Sequence, residues 1–150
     1  YMLMKNNSFT DIQGAVLRLY RGGKDESTFG PFLELDHNVL DHVGYGKKNK
    51  YKKALSLYGV QVNDIENNIF NNSKAMEMHL VVGEPVVNIL NNNFYKSDEL
   101  VITGDQKYNL KNSWNLNPDF IEGTYTLSEK SPLHKKGTDK LNLGLTSKMP

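Results

Sequence analysis

Hydrophobic and polar positions follow two different periods along this chain, and the change of period divides the sequence into two parts. From Lys50 to Tyr58 the apolar residues recur at helical spacing with lysines between them, which predicts a helix. From Met76 to Val82 apolar and polar residues largely alternate one by one, which predicts a strand. We therefore expect residues 36–70 to be mainly helical and residues 74–127 to be mainly strands.

Shorter apolar segments complete the expected architecture. Ala15 to Arg21 and Phe32 to Leu35 suit early strands, whereas Leu100 to Thr103 and Ile121 to Leu127 suit late ones. No internal repeat is apparent. The pattern predicts an α+β fold, with an early strand, a helical insertion and then a mostly antiparallel sheet. We expect residues 1–150 to form one domain, with 1–7 and about 128–150 as peripheral extensions.

Composition narrows the function classes only slightly. The chain has 150 residues, a net charge of +1 and no cysteine, which excludes disulfides, thiol nucleophiles and cysteine-ligated metals. A net charge this small gives no overall electrostatic field that would attract nucleic acid or an acidic membrane. No apolar run reaches the length of a membrane span, and we expect none. Eighteen asparagines are present, several in loop-like runs, and they point to no particular function.

The segment from Leu17 to Gly23 carries the strongest chemical signal. Side chains alternate along a strand, so Leu17, Leu19 and Arg21 share one face, and Arg21 should point toward the interior or a cleft. A guanidinium there needs a carboxylate, a carbonyl or a ligand phosphate as its partner. Gly22 and Gly23 would let another group approach closely. The alternative is a strand that runs into a glycine turn, with its arginine tied to a structural carboxylate.

Three short motifs then suggest a family. The segment Leu19-Tyr20-Arg21-Gly22-Gly23 resembles the first motif of the arginine-type mono-ADP-ribosyltransferases, especially the bacterial toxin domains. Gly30 to Tyr45 resembles their second part, and Ser97 to Ile102 their last. The usual Ser-Thr-Ser triplet is absent, and Ser73 is the nearest candidate by position. The resemblance covers roughly residues 15–110.

The resemblance implies an NAD-dependent ADP-ribosyltransferase or NAD glycohydrolase that acts as a bacterial toxin or effector. Its catalytic residues would be Glu99, which would stabilise the positive charge that develops on the ribose, and Arg21, which would hold the pyrophosphate. Glu122 and then Glu77 are the rivals of Glu99. The residues expected to bind NAD are Tyr20, Arg21, Gly22, Phe32, Tyr45 and Ser73.

The same resemblance implies partners and a location. We expect NAD and a protein or other macromolecular acceptor as substrates, and a cognate immunity protein as a further partner. We expect the catalytic domain to be secreted or delivered into a target cell, where it would act in the cytoplasm.

Two alternatives stay open. One is a metal-independent RNase toxin, in which His37 or His42 would be the general base, Lys47 to Lys53 would hold phosphate, and Thr124 or Tyr125 would assist. His37 and His42 are five positions apart, which is poor spacing for a metal site, and we expect no bound metal. The other alternative is a non-enzymatic interaction domain.

Overall fold

The computed structural model describes residues 1–21, 30–48, 52–81 and 85–146. These residues form thirteen β-strands and no α-helix. The strands are β1 (Met2–Lys5), β2 (Ser8–Thr10), β3 (Leu17–Tyr20), β4 (Phe32–Asp36), β5 (Val39–Asp41), β6 (Lys53–Tyr58), β7 (Val62–Glu66), β8 (Ile69–Asn71), β9 (Ala75–His79), β10 (Val86–Leu90), β11 (Asn93–Tyr95), β12 (Val101–Thr103) and β13 (Asn109–Lys111).

The strands build three parallel sheets that share one core. Sheet A has the order β1-β4-β7-β10-β13, sheet B the order β11-β8-β5-β2, and sheet C the order β12-β9-β6-β3. Each of the first four coils contributes one strand to each sheet, the next coil adds β13 to sheet A, and each coil stacks on the one before it. This arrangement is a parallel β-helix. The predicted α+β fold, with its mostly antiparallel sheet, is therefore wrong.

The inward side chains of all three sheets fill the space between them. Fully buried members of this core include Leu35, Leu40, Leu55, Ile65 and Phe70. Aligned positions in sheet A are Met2, Leu33, Asn63 and Val87. The loops between coils vary in length, so these positions do not recur at a constant interval, and the repeat is hidden in the sequence.

In place of the helix predicted from Lys50 to Tyr58, the structure has strand β6 from Lys53 to Tyr58, and Lys50 and Tyr51 lie outside the described residues. A register irregularity lies between Lys53 and Leu55 in the pairing of β6 with β9, and Ala54 and Leu55 are both buried. An irregularity of this kind interrupts the period of two. The resulting spacing of apolar residues resembles that of a helical face, which explains why the sequence pattern predicted a helix here.

The helical pattern of residues 36–70 has a second cause. Sheet B is buried on both faces, so Val39 and Leu40 in β5 are both fully buried, as are Ile69 and Phe70 in β8. Two-sided burial gives strands continuous apolar runs in place of alternation. Such short runs cannot be distinguished from helices by periodicity alone.

In the second half, two of the predicted strands are present, but they do not pair as predicted. Met76 to Val82 contains most of β9, and Leu100 to Thr103 contains β12. Both pair in parallel with strands of neighbouring coils. The strand expected from Ile121 to Leu127 is absent from the described structure. A single bridge joins Phe120 to Leu127 there, around a turn.

An asparagine ladder lines the first turn of each coil, which joins sheet A to sheet B. Asn7, Asn38, Asn68 and Asn92 occupy equivalent positions in successive coils. Each side-chain amide donates to the side-chain oxygen of the next, over 3.1, 3.0 and 3.0 Å. Asn68 also donates to the Leu35 carbonyl at 2.9 Å. The buried turn backbone is thereby hydrogen-bonded, as burial requires.

The residue before each ladder asparagine has a left-handed backbone. The φ angles are 58° at Asn6, 54° at His37, 60° at Asn67 and 55° at Asn91. Asparagine tolerates this region better than most residues. The asparagine pairs in the sequence therefore have a structural explanation, since one member supplies the turn and the other the ladder.

The end of the chain returns along the outside of sheet B. Leu133 and Leu143 are fully buried against Val39 and Ile69. Gly144 has a φ of +70°, and a Cβ placed there would lie 2.7 Å from Ile69 Cδ1. Residues 128–146 therefore close the outer face of sheet B. Residues 1–7, also expected to be peripheral, supply β1 of sheet A.

Candidate functional site

The outer face of sheet C carries a row of aromatic rings, which we call the ring ladder. It consists of Tyr20 in β3, Tyr58 in β6 and His79 in β9, which are aligned by the strand register. The ring centroids lie 6.0 Å apart for Tyr20 and Tyr58 and 5.0 Å apart for Tyr58 and His79, and both pairs are stacked. Each ring follows an inward apolar residue, so strand alternation places all three outside.

Polar groups surround this ladder. Arg18 Nη2 donates to Tyr20 Oη at 3.0 Å, and the same hydroxyl lies 3.3 Å from Ser56 Oγ. His79 Nδ1 is hydrogen-bonded to the Thr103 hydroxyl. Lys53 and Glu77 form an ion pair at 3.5 Å on the same face.

The polar groups around the ladder change the pKa of Tyr20. Hydrogen bonds from Ser56 and then from Arg18 stabilise the phenolate and lower the pKa of Tyr20 from its ordinary value, against a small opposing effect of burial. Tyr20 is 49% exposed. Its oxygen can therefore accept a hydrogen bond or a proton from a molecule that lies on the surface.

Stacking determines which part of each ring meets solvent. Tyr58 has one neighbouring ring on each side, so its faces are occupied and its edge and hydroxyl are outermost. That hydroxyl has no hydrogen-bond partner within the described part of the chain. The ladder thus presents a row of polar ring atoms on rings whose centroids lie 5.0 and 6.0 Å apart, with a guanidinium beside it.

A second concave site lies where the first two coils turn from sheet B to sheet C. We call it the second-turn cleft, a cavity of about 600 Å³ lined by Asp11, Ile12, Gln13, His42, Tyr45, Gly46, Lys47 and Lys48. It unites His42 with two lysines of the predicted basic cluster. The RNase hypothesis had grouped these residues on sequence grounds alone.

Arg21 and Glu99, the predicted catalytic pair, are not brought together. Arg21 is buried just after the carboxyl end of β3, whereas Glu99 is exposed before the amino end of β12. The strands β6 and β9 lie between them. Three strand spacings correspond to about 14 Å along the helix axis, and the two residues also lie beyond opposite ends of their strands.

The residues predicted to bind NAD are scattered over the coils. Tyr20 is in the ring ladder, Tyr45 lines the second-turn cleft, and Phe32 is exposed at the start of β4 in sheet A. Ser73 is fully buried, and its hydroxyl donates to the Leu40 carbonyl at 3.2 Å within a turn. Gly22 lies outside the described residues.

The two alternatives to Glu99 as catalytic acid, and the two residues expected to assist an RNase, also lie in separate parts of the structure. Glu122 is exposed in a turn near the end of the chain, and Glu77 is paired with Lys53 on sheet C. Thr124 donates to the Ile121 carbonyl, and Tyr125 donates to Asp41 Oδ2 at 3.0 Å.

His37, the other predicted general base, is enclosed. It is 1% exposed, with Nδ1 3.0 Å from the Gly144 carbonyl and Nε2 2.9 Å from Asp139 Oδ2. Burial raises the pKa of Asp139, but hydrogen bonds from the Leu141 N–H and from His37 outweigh it, so the net pKa is lowered. His37 therefore attaches the returning chain to the coils.

The described residues offer neither a metal centre nor a membrane-spanning helix. Within residues 1–21, 30–48, 52–81 and 85–146, no group of three or more histidine or acidic side chains is arranged to hold a metal ion. The same part of the chain contains no helix with the length and apolar character needed to cross a membrane.

Comparison with known proteins corrects the predicted family. No protein-family model matches this chain, and no curated protein matches it significantly. A solved structure does match, that of the PL6 family alginate lyase AlyGC. The identity is 37% and the TM-score 0.71, over 76% of this chain and 16% of that one. This chain therefore spans about a sixth of the length of that enzyme.

This neighbour overturns the resemblance to ADP-ribosyltransferase toxins, because its fold agrees with the parallel β-helix found here and its activity is that of a lyase. The prediction that NAD is the substrate is also wrong, since an alginate lyase does not use NAD. The NAD glycohydrolase and RNase toxin assignments are likewise not supported. The neighbour is an enzyme, which agrees with the expectation of enzymatic activity in its general form. By fold and by sequence, this chain is similar to part of a PL6 family alginate lyase.

Proposed function

We propose that this chain is a β-helical segment of a protein that acts on an acidic polysaccharide, and that the ring ladder binds the polysaccharide. The observation that supports this most strongly is the 37% identity to an alginate lyase over 76% of the chain. Alginate is a polymer of uronic acids, so each of its sugar units carries a carboxylate. The partner we propose is such a polymer, in place of NAD and a protein acceptor.

The ring ladder suits this ligand for two physical reasons. Its polar ring atoms form a row along the helix axis, so an extended polymer can receive hydrogen bonds from successive coils. Arg18 lies beside the row and can donate charge-assisted hydrogen bonds to a carboxylate. Because the surface is open, binding requires no rearrangement of the coils.

Replacing Tyr58 by alanine should weaken the binding of alginate oligosaccharides about tenfold or more, which corresponds to ~1.4 kcal/mol. The substitution removes the central ring and its hydroxyl, and leaves the inward residues of β6 unchanged. Isothermal titration calorimetry measures the affinity. Arg18→Gln should also weaken binding, and added salt should reduce its effect.

The control is Tyr108→Ala, which removes a ring that is 46% exposed and lies between β12 and β13, outside the stacked rings of the ladder. It should leave the affinity unchanged. Equal affinity for a neutral polysaccharide, or full affinity in both Tyr58→Ala and Arg18→Gln, would contradict the proposed binding surface.

A second candidate function is elimination chemistry on the same face, favoured by the lowered pKa of Tyr20. In β-elimination a base removes the proton next to the carboxylate, and that electron pair forms a C=C bond. The glycosidic oxygen then leaves and takes up a proton. The Tyr20 phenolate would be the base, and Arg18 would stabilise the charge that develops on the carboxylate.

If Tyr20 is the base, the rate should rise with pH as Tyr20 ionises, below the range of an ordinary tyrosine. Tyr20→Phe should then reduce turnover by about 10²-fold or more, a larger effect than the loss of one hydroxyl of the ladder has on binding. The ultraviolet absorbance of the unsaturated product reports turnover. Binding without any product would assign this chain a binding role alone, and full turnover in Tyr20→Phe would exclude this residue as the base.

A further inference from the structure

We propose that the second-turn cleft is a separate binding site for one carboxylate-bearing sugar unit. This inference rests on the proposed function, because it assigns a second contact point to the same acidic polysaccharide. The similarity to the alginate lyase does not by itself give the cleft a role. Its volume of about 600 Å³ falls within the range of small-molecule sites.

Equivalent residues of two neighbouring coils form the cleft. Thr10 pairs with Asp41 in sheet B, so Asp11 and His42 are equivalent residues of neighbouring coils. Both have a left-handed backbone, with φ values of 54°, and each begins the second turn of its coil. His42 Nδ1 consequently lies 2.8 Å from Asp11 Oδ1, which leaves Nε2 as the ring nitrogen available to a ligand.

Aromatic and glycine contacts hold this arrangement in place. The His42 and Tyr45 rings are stacked with their centroids 4.9 Å apart, and Lys74 Nζ lies 4.7 Å from the Tyr45 centroid. A Cβ at Gly46 would lie 2.5 Å from Gln13 Cβ, so any larger residue would push the two coils apart here. The wall of the cleft therefore depends on glycine at this position.

The charges favour an anion. Lys47 and Lys48 are exposed and form no ion pair with any residue that the structure describes. The one carboxylate of the lining, Asp11, is already hydrogen-bonded to His42. A ligand carboxylate can therefore be held by two ammonium groups, while its ring hydroxyls contact His42 and Gln13.

The second-turn cleft and the ring ladder lie at opposite ends of strand β6. A Cβ at Gly44 would lie 2.9 Å from the Lys53 carbonyl, so the turn that carries Tyr45 reaches the amino end of β6. Tyr58 of the ladder is at the other end of that strand. Five residues of strand correspond to about 17 Å. A polymer chain that lies along the ladder can therefore reach the cleft by turning at Tyr58 and crossing sheet C along β6.

The test is a titration of the isotope-labelled full chain with glucuronate, followed by NMR. Glucuronate is a single sugar unit and cannot bridge the two sites. We expect its addition to shift the ring signals of His42 and Tyr45, and equal concentrations of glucose or inorganic phosphate to shift them much less. The double variant Lys47→Gln, Lys48→Gln should weaken this binding about tenfold. The matched control, Lys130→Gln with Lys140→Gln, should not.

The possible results separate this inference from the proposed function. If alginate oligosaccharides shift the Tyr58 signals but glucuronate leaves His42 and Tyr45 unchanged, the cleft proposal is wrong and the ladder proposal stands. Cleft shifts without any ladder response would support the cleft and contradict the ladder. Equal shifts with phosphate would overturn the assignment to a sugar, and equal shifts with glucose would overturn the requirement for a carboxylate.

Discussion

Replacing Asn68 by leucine should lower the free energy of unfolding by about 2–6 kcal/mol, because each buried polar group that loses its partner costs about 1–3 kcal/mol. Asn68 is fully buried in the asparagine ladder. Its Oδ1 accepts from the Asn38 backbone N–H at 2.9 Å, and its Nδ2 donates to the Leu35 carbonyl at 2.9 Å. Leucine has a similar volume but removes both of these hydrogen bonds, together with those to the side chains of Asn38 and Asn92. Urea denaturation followed by circular dichroism measures the loss.

The matched control for this substitution is Asn109→Ala. Asn109 is exposed on sheet A and donates to the Asn88 side chain at 2.8 Å. Its replacement should change stability by no more than about 0.5 kcal/mol. Equal stability of Asn68→Leu and the parent chain would show that the ladder is not a source of stability.

Replacing Leu143 by alanine should cost about 2–5 kcal/mol, the usual range for a fully buried leucine. Leu143 packs with Val39, Ile69 and Leu133 outside sheet B. We expect the returning segment, residues 128–146, to lose its amide protection before the coils do, because its packing on sheet B is what holds it. Hydrogen exchange detected by mass spectrometry resolves the two regions.

The control is Leu141→Ala, two residues earlier in the same segment and 39% exposed. It removes the same atoms from a site that is already in contact with water, so the loss should be much smaller. Uniform loss of protection in Leu143→Ala would instead mean that the returning segment and the coils unfold as one cooperative unit.

The positions of several strands could be predicted from the sequence. Alternation between Met76 and Val82 and the apolar run from Leu100 to Thr103 located β9 and β12. Alternation also predicted that Arg21 faces inward, and it is 7% exposed. These predictions hold because a strand with one buried face must alternate, whichever partner it pairs with.

The sequence also contains repeat signals that become clear once the coils are known. Leu17-Arg18-Leu19-Tyr20 and Leu55-Ser56-Leu57-Tyr58 have the same pattern, and they pair residue for residue in sheet C. Asn68-Ile69-Phe70 and Asn92-Asn93-Phe94 each begin with a ladder asparagine and end with an aromatic residue. Aligning such segments would indicate stacked coils, although the spacing between them is irregular.

The sequence singled out individual residues of the two candidate sites but did not predict how they are grouped. Tyr20 and Tyr45 were singled out, but for an NAD site that the structural comparison overturns. Glu77 was named as a rival catalytic acid, and it lies with His79 on the outer face of sheet C. The ring ladder itself joins residues from three coils, and only the strand register aligns them.

The sequence by itself determined which residues point inward within a strand and where left-handed turns are tolerated, because both depend on neighbouring residues alone. Only the tertiary structure decided that the strands pair in parallel, that sheet B is covered on both faces, and that Asp11 meets His42. Each of these contacts joins residues more than 20 positions apart. They form because stacking each coil on the last buries apolar faces and satisfies backbone hydrogen bonds that no coil can satisfy alone.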